Sequence, residues 1–276
     1  MSSTTSANTA LVGMRCRTSE RSGAAARGVD ALVGVIGRQL GMDPRLIGSP
    51  QPAHSQGFEA DLAASRGCLL EAGGQVEDAL AAGALPLLVA TDGAISLTTL
   101  PTVARIRPDA CILWLDAHGS FHTPETTPSG YLGGMALAGA CGRWETGFQG
   151  SIDPHQVVLC GVRELDDGER EDLEQARVRT IGASLETLVF LQNTLDGAPV
   201  YVHLDVDVLD EESMPVSHAV PGGLDEDKLF DLLEAVADSS EVVGVQVTGF
   251  EAGEDDDRQA LVRAEVIAGV LDPLLP

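Results

Sequence analysis

The chain has 276 residues, of which 44% are hydrophobic, enough to bury a sizeable core. There are 42 acidic residues against 17 basic ones, for a net charge of −25. That balance speaks against nucleic acid and anionic membrane as partners, because both are held by clustered Lys and Arg.

The opening "MSSTTSANTA" carries no basic n-region and no long apolar core, so it does not read as a secretory leader. No apolar run reaches the ~18 residues of a membrane span, and a cytoplasmic location is expected. Short apolar runs then alternate with stretches of helical character. Strands are predicted at "ALVGMRC" near the start and over 84–90, 110–118, 156–164, 178–183, 199–209 and 242–250. Several are continuously apolar rather than alternating, the pattern of strands covered on both faces. Helices are predicted over 25–41, 58–82, 94–106, 168–176, 185–195, 225–237 and 258–271. In the last, Ala260, Ala264, Ile267 and Leu271 share one face, and in the one before it Leu229, Leu232, Leu233 and Val236 do the same. This alternation predicts an α/β protein with a parallel sheet between helices. No composition shift, repeat or long linker divides it, so residues 1–276 read as a single domain. Five cysteines without C-x-x-C spacing read as free thiols of a reducing cytoplasm.

Ligands of such sheets gather beyond the carboxyl ends of the strands, and two long loops leave there, Gly119 to Leu137 and Asp210 to Leu224. Asp116 and His118 stand at i and i+2, which puts both side chains on one face of an extended segment. Asp205 and Asp207 repeat the geometry. If the two strands end side by side, three carboxylates and an imidazole converge, and the carboxylates repel one another unless a cation sits among them. Oxygen-rich ligands with one imidazole suit Mn²⁺, with Fe, Co, Ni or Zn as alternatives. His203 shares their parity one step deeper; it reads as a hydrogen-bonded core histidine, with a fifth ligand as the alternative. His218 reads as a loop histidine, with proton transfer as the alternative. His54 and His155 read as surface residues, and Trp114 as core. "EAGEDDD" (251–257) reads as a solvated loop.

"DAHGSFHTPETTPSGYLGG" and "HLDVDVLDEESMPVSHAVPGGL" resemble the ureohydrolase family, which includes arginase, agmatinase and formiminoglutamase. The family pattern is D-x-H-x-D, then S-G-N-x-H-G, then D-x-D-x-x-D-P before a G-G-L turn, and the likeness runs from about Ala84 onward. "SLTTLP" (96–101), "FHTPETT" (121–127) and "GYLGGM" (130–135) are similar to the branch that hydrolyses N-hydroxy-arginine. The resemblance implies a three-layer α/β/α sandwich around a central parallel sheet, and two Mn²⁺ ions whose bridging hydroxide attacks a guanidine carbon. It matches Asp116 and Asp205 to the bridging carboxylates, and His118 and Asp207 to the other ligands of one metal. Asp116, His118 and Asp205 are thus the implied catalytic residues, and one Mn²⁺ per chain is expected rather than two. The second metal's histidine falls on Gly93 in "VATDGAI" and its private aspartate on Ser120. The acid/base histidine falls on Gly133. The glutamate that receives the guanidinium falls on Gly249, with Glu251 as a substitute if the strand continues.

The amino-acid end of the pocket is better kept. Thr127 and Ser129 match groups that hold the α-carboxylate, and Asp166 and Glu169 match acids that hold the α-amino group. Both acids could equally serve the dipole of a helix start. The family's loop asparagines become His122 and Tyr131. The expected activity is metal-dependent cleavage of a C–N bond in a guanidino or N-hydroxyguanidino amino acid. The alternative is a non-catalytic protein that keeps the fold and binds an amino acid or a partner subunit. A homo-oligomer follows from family analogy alone.

Overall fold

The computed structural model describes residues 8–52, 56–182, 191, 193–253 and 257–276. In chain order the elements are β1 (Thr9–Met14), α1 (Ala24–Leu40), β2 (Arg45–Ile47), α2 (Phe58–Ala81), β3 (Leu85–Ala90), α3 (Ser96–Ile106) and β4 (Cys111–Leu115). There follow α4 (Ala136–Ala140), β5 (Val157–Cys160), α5 (Asp167–Ala176), β6 (Arg179–Ile181), β7 (Val200–Asp205), α6 (Glu226–Ser239), β8 (Val242–Thr248) and α7 (Asp257–Leu271). The strands form one eight-stranded sheet in the order β2-β1-β3-β8-β7-β4-β5-β6. Every pair is parallel.

Alternate strand residues feed two cores. Leu87 and Val89 face a layer with Val29 and Leu32 of α1, Leu229 and Leu233 of α6, and Ile267 of α7. Leu88 and Ala90 face Leu69 and Val76 of α2 and Leu97 and Leu100 of α3. All six residues of β3 are buried, so its unbroken apolar run is the consequence of cover on both faces. Each buried leucine contributes roughly 1.5–3 kcal/mol relative to exposure. The predicted α/β/α sandwich is thus present, and Trp114 is wholly buried in it.

Helix ends follow local rules. Gly41 ends α1 in the left-handed region, with its N–H donating to the Arg38 carbonyl. Asp166 and Asp225 start α5 and α6, their side chains accepting from the amides of Glu169 and Lys228.

The structure departs from expectation in four places. β2 was not foreseen, because a three-residue edge strand leaves no apolar run. Strand β5 stops at Cys160, where Gly161 (φ 93) turns the chain out of the sheet. The loop after His118 contains the short α4. Cys16 and Cys68 are joined in a disulfide, while Cys111, Cys141 and Cys160 are free. The expectation of free thiols fails for that pair because the loop after β1 lies over α2. His54, most of the helix predicted at 185–195, and 254–256 of the acidic loop lie outside the described residues.

The last two strands in sequence, β7 and β8, fill the gap between β3 and β4. The carboxyl ends of β3, β8, β7 and β4 therefore stand side by side, and a crevice opens beyond them.

Candidate metal centre and substrate cavity

Register sets the geometry. Leu115 of β4 pairs with Leu204 of β7, so the next residues, Asp116 and Asp205, stand beside each other. Asp205 in turn pairs with Thr248 of β8. Backbone amides fix the carboxylates. Asp116 Oδ1 accepts from the His118 amide at 2.7 Å, and its Oδ2 accepts from the Trp114 indole at 2.9 Å. Asp205 Oδ1 accepts from the Asp207 amide at 3.1 Å, and Oδ2 accepts from the Thr248 hydroxyl at 2.7 Å. Asp207 Oδ1 accepts from the Ala117 amide at 3.0 Å. These bonds leave the remaining lone pairs aimed at one another across the strand ends.

Two ligand sets result. Asp116, His118 and Asp207 each offer an atom within 4.8 Å of the others, and so do Asp116, His203 and Asp205. Asp116 belongs to both. His118 Nδ1 lies 2.9 Å from Asp207 Oδ2 and 3.4 Å from Asp116 Oδ1, while its Nε2 lies 3.6 Å from Glu164. The structure thus brings Asp116, His118, Asp205 and Asp207 together as the spacing implied. It also adds His203, which was read as a core histidine.

The electrostatics of the cluster follow from burial and crowding. Burial pushes the Asp205 carboxyl well above its usual range, and the charges of Asp207 and Asp116 add to this. Asp207 rises to about 6 by burial first and Asp116 second. Burial works against ionisation of Asp116 too, but hydrogen bonds and positive charge from His118 hold it below the carboxylate norm. Burial disfavours a charged His118, yet Asp116 and Asp207 lift it to about 11. His203 goes the other way, lowered by burial to about 3 and so neutral. Acids this close balance their charge with protons or with a cation, and carboxylate and imidazole donors suit a divalent transition ion.

A cavity of about 430 Å³ opens over the cluster. On one wall His122 Nε2 lies 3.3 Å from Asp166 Oδ2 and 3.9 Å from Glu169 Oε2. Asp166 Oδ1 caps α5, the helix-start role open to it, while its Oδ2 faces His122 in the cavity wall. Glu169 is buried, accepts from the Phe121 amide at 2.7 Å, and is raised to about 7 chiefly by burial. Ser129 lines the cavity. Thr127 does not, because its hydroxyl turns inward to accept from the Gly130 amide at 3.0 Å. Glu251 also lines the cavity, but not by continuation of a strand. Strand β8 ends at Thr248, Gly249 turns at φ 78, and the Glu251 carboxylate accepts from the amide and hydroxyl of Ser217.

The opposite wall is lined by Glu20, Arg21, Asp92, Tyr131 and His218. Tyr131 stacks on His218 with ring centroids 5.3 Å apart, and the Arg21 guanidinium lies over the tyrosine ring, 4.9 Å from its centroid. The tyrosine hydroxyl donates to Asp92 at 3.3 Å. Burial and nearby carboxylates keep that phenol protonated, while burial and the charge of His118 push His218 below its usual range. Glu20 is raised to about 7 by burial and by Asp92. Of these, Tyr131 stands at a family loop position and His218 where proton transfer was the alternative reading, while nothing in the sequence pattern marked Glu20, Arg21 or Asp92.

The small residues at family positions are not empty of consequence. A Cβ on Gly133 would meet the Tyr131 ring at 2.7 Å, and one on Gly249 would meet Asp205 Oδ1 at 2.3 Å. Ser120 (φ 49) places its hydroxyl 3.4 Å from Asp116 Oδ2.

Comparison with known proteins agrees with this architecture. The model of the arginase family matches residues 9–271. The chain is 33% identical over 266 residues to the N(omega)-hydroxy-L-arginine amidinohydrolase of Streptomyces lavendulae, covering 96% of each protein. It is 34% identical over 167 residues to the arginase of Bacillus caldovelox, covering 54% of this chain and 55% of that one. Among solved structures it superposes on Bacillus subtilis arginase with a TM-score of 0.83 at 22% identity, over 97% and 98% of the two chains.

Proposed function

The chain belongs to the arginase family, and from that premise we propose that it is a Mn²⁺-dependent hydrolase of an amino acid with a guanidine or N-hydroxyguanidine side chain. The observation that carries the reading is the convergence of Asp116, His118, Asp205 and Asp207 on adjacent strand ends beneath an acidic cavity. Asp116, His118 and Asp207 would hold one ion, with Asp205 beside it. A divalent cation supplies Lewis acidity and lowers the pKa of water to near neutrality.

The rest is the work of the chain. Carboxylates far outnumber the one arginine among the residues that line the cavity, so a cationic substrate is drawn in. Asp166 and Glu169 receive the α-ammonium group, and Ser129 and His122 bound the same end. Water adds to the guanidine carbon, the bond to the side-chain nitrogen breaks, and an amine leaves with a proton. Neutral His218 is placed to take a proton from the attacking water and return it to that amine. Tyr131 orients His218 by stacking and stays a donor to Asp92. No carboxylate stands at Gly249 to grip a guanidinium, which favours the N-hydroxyguanidine, whose N–O oxygen withdraws charge. A homo-oligomer is proposed by family analogy alone; no described helix is long and apolar enough to cross a membrane.

The second reading, a non-catalytic member that binds an amino acid or a partner subunit, draws on the joint loss of family ligands at Gly93, Ser120 and Gly249. Amine release from N-hydroxy-L-arginine, L-arginine and agmatine at saturating Mn²⁺ separates the two. The proposal expects turnover of N-hydroxy-L-arginine above L-arginine and none of agmatine, which lacks the α-carboxylate. Binding of these amino acids without product from any would favour the second reading. In a thermal shift, a hundredfold excess of ligand over Kd gives ~2.7 kcal/mol, so L-arginine should register and agmatine should not.

A further inference from the structure

Gly93 sits where the family's second metal takes a histidine, and its backbone is outside the left-handed region. A Cβ added there would meet His203 Cε1 at 3.8 Å and the Trp114 indole at 3.9 Å. The space next to Gly93 is therefore not lost to solvent; the imidazole of His203, from β7 two places along the sheet from β3, stands in it. His203 is wholly buried and stacks on Trp114, with centroids 3.6 Å apart and planes 15° from parallel. Its Nδ1 is 2.6 Å from the Gln246 amide nitrogen. Among the described residues its Nε2 meets no hydrogen-bond partner, although it is buried. Buried polar nitrogens are seldom left so, and each such case calls for a reason.

We propose that His203 is a relocated metal ligand, and that a second divalent cation is held by Asp116, Asp205 and His203. This rests on the reading that the strand ends hold a first ion beside His118. One ring nitrogen of His203 lies within 4.8 Å of carboxylate oxygens of both acids. Ser120 adds a neutral hydroxyl beside Asp116. The set has two carboxylates, one imidazole and a hydroxyl, which suits Mn²⁺ or another borderline transition ion.

The partner of Nδ1 explains how the ring can serve. A ligating histidine gives its other ring proton to an acceptor, which fixes the tautomer. As placed, the Gln246 amide nitrogen donates to His203 Nδ1 and to the Ser96 hydroxyl, while its oxygen accepts from Thr99 and Tyr201. Apart from His203, each of these partners is a hydroxyl that can donate or accept. Turning the amide by 180° keeps every contact, lets Gln246 Oε1 accept the Nδ1 proton, and frees the Nε2 lone pair for a metal. The second set lacks a private carboxylate, so its ion is the weaker of the two and leaves first on dialysis.

The test is a Mn²⁺ titration of the metal-depleted protein, followed by calorimetry and low-temperature electron paramagnetic resonance. The wild type is expected to take two ions per chain, the second at least tenfold weaker, with a spin-coupled spectrum through the shared Asp116. His203→Phe keeps a ring on Trp114 and should take one ion with an uncoupled spectrum. His203→Ala combined with Gly93→His should take two again. A single ion in the wild type at saturation would overturn the second site and leave the first standing, whereas no ion would overturn both. Two ions in His203→Phe would also overturn the proposal. If His203 variants do not fold, ¹⁵N-histidine spectra of the wild type with Zn²⁺ decide the matter. His203 is expected to move its proton from Nε2 to Nδ1 when two equivalents bind, and an unchanged tautomer would overturn the assignment.

Discussion

The two flanks of the site are built on different plans. On the flank of β4 and β5, the chemistry runs along the chain: Asp116 and His118 are two residues apart, and Asp166 and Glu169 open one helix. On the flank of β3 and β8, it runs across the chain. At Gly93 and Gly249 the space or contact is supplied by His203 and Asp205, both from β7. The lesson is that a glycine at a functional position does not by itself mean a lost function. It also makes room, and what enters the room decides the outcome.

The largest effect should come where the flanks meet. Asp205→Ala removes an acid that stands beside both ions, and should leave at most residual metal by elemental analysis. Unchanged metal content would remove Asp205 from the centre. Gly249→Ala should come next, because its Cβ would overlap Asp205 Oδ1 and its φ of 78 disfavours alanine. Overpacking of this kind costs about 1–3 kcal/mol, visible in denaturant unfolding, and metal affinity should fall with it. Full stability and affinity in that variant would mean that Asp205 has room to move. Gln246→Leu tests the cross-chain flank alone. Loss of a histidine's supporting hydrogen bond weakens metal binding by roughly 10–100-fold, and here only the weaker ion should respond. An equal loss at both ions would erase the distinction between the flanks.

The smallest effect belongs to the along-chain flank and depends on pH. The carboxyl of Glu169 is raised to about 7 from 4.5, so the folded state favours its neutral form. Its contribution to stability is therefore present below about 4.5 and lost as pH rises through about 7. Substrate binding should run the opposite way, because the α-ammonium pairs with the ionised form. The apparent affinity for the amino acid should improve as pH rises through about 7, and Glu169→Gln should flatten that rise. At pH 8 the variant should bind about tenfold more weakly, the lower end of the ~1.5–3 kcal/mol of a hydrogen bond to a charged group. A rise that persists in Glu169→Gln would assign the titration elsewhere.

The same contrast explains what could be read from sequence. Unbroken apolar runs such as Leu85–Ala90 announce a sheet covered on both faces, and i, i+2 spacing announces ligands that share a strand face. Arg45–Ile47 announces nothing, since an edge strand of three residues is made by its neighbour β1. Cys16 and Cys68 were read as free for want of any local pattern; their pairing depends on how a loop crosses α2. Thr127 was assigned by alignment to the substrate, but a turn takes its hydroxyl for the Gly130 amide. His203 was visible by parity, yet a strand position before two acids does not say which neighbour the ring faces. Its register opposite Trp114 and Gln246 does, and register across a parallel sheet is not written in either strand alone.

Anomalous diffraction at the manganese edge, from crystals of the Mn²⁺-loaded protein, tests the account most directly. The account predicts two peaks per chain, one flanked by Asp116, His118 and Asp207, the other by Asp116, Asp205 and His203 Nε2. A single peak, or a second peak with His203 turned away from it, would contradict the relocated ligand; no peak at the strand ends would contradict the metal centre itself.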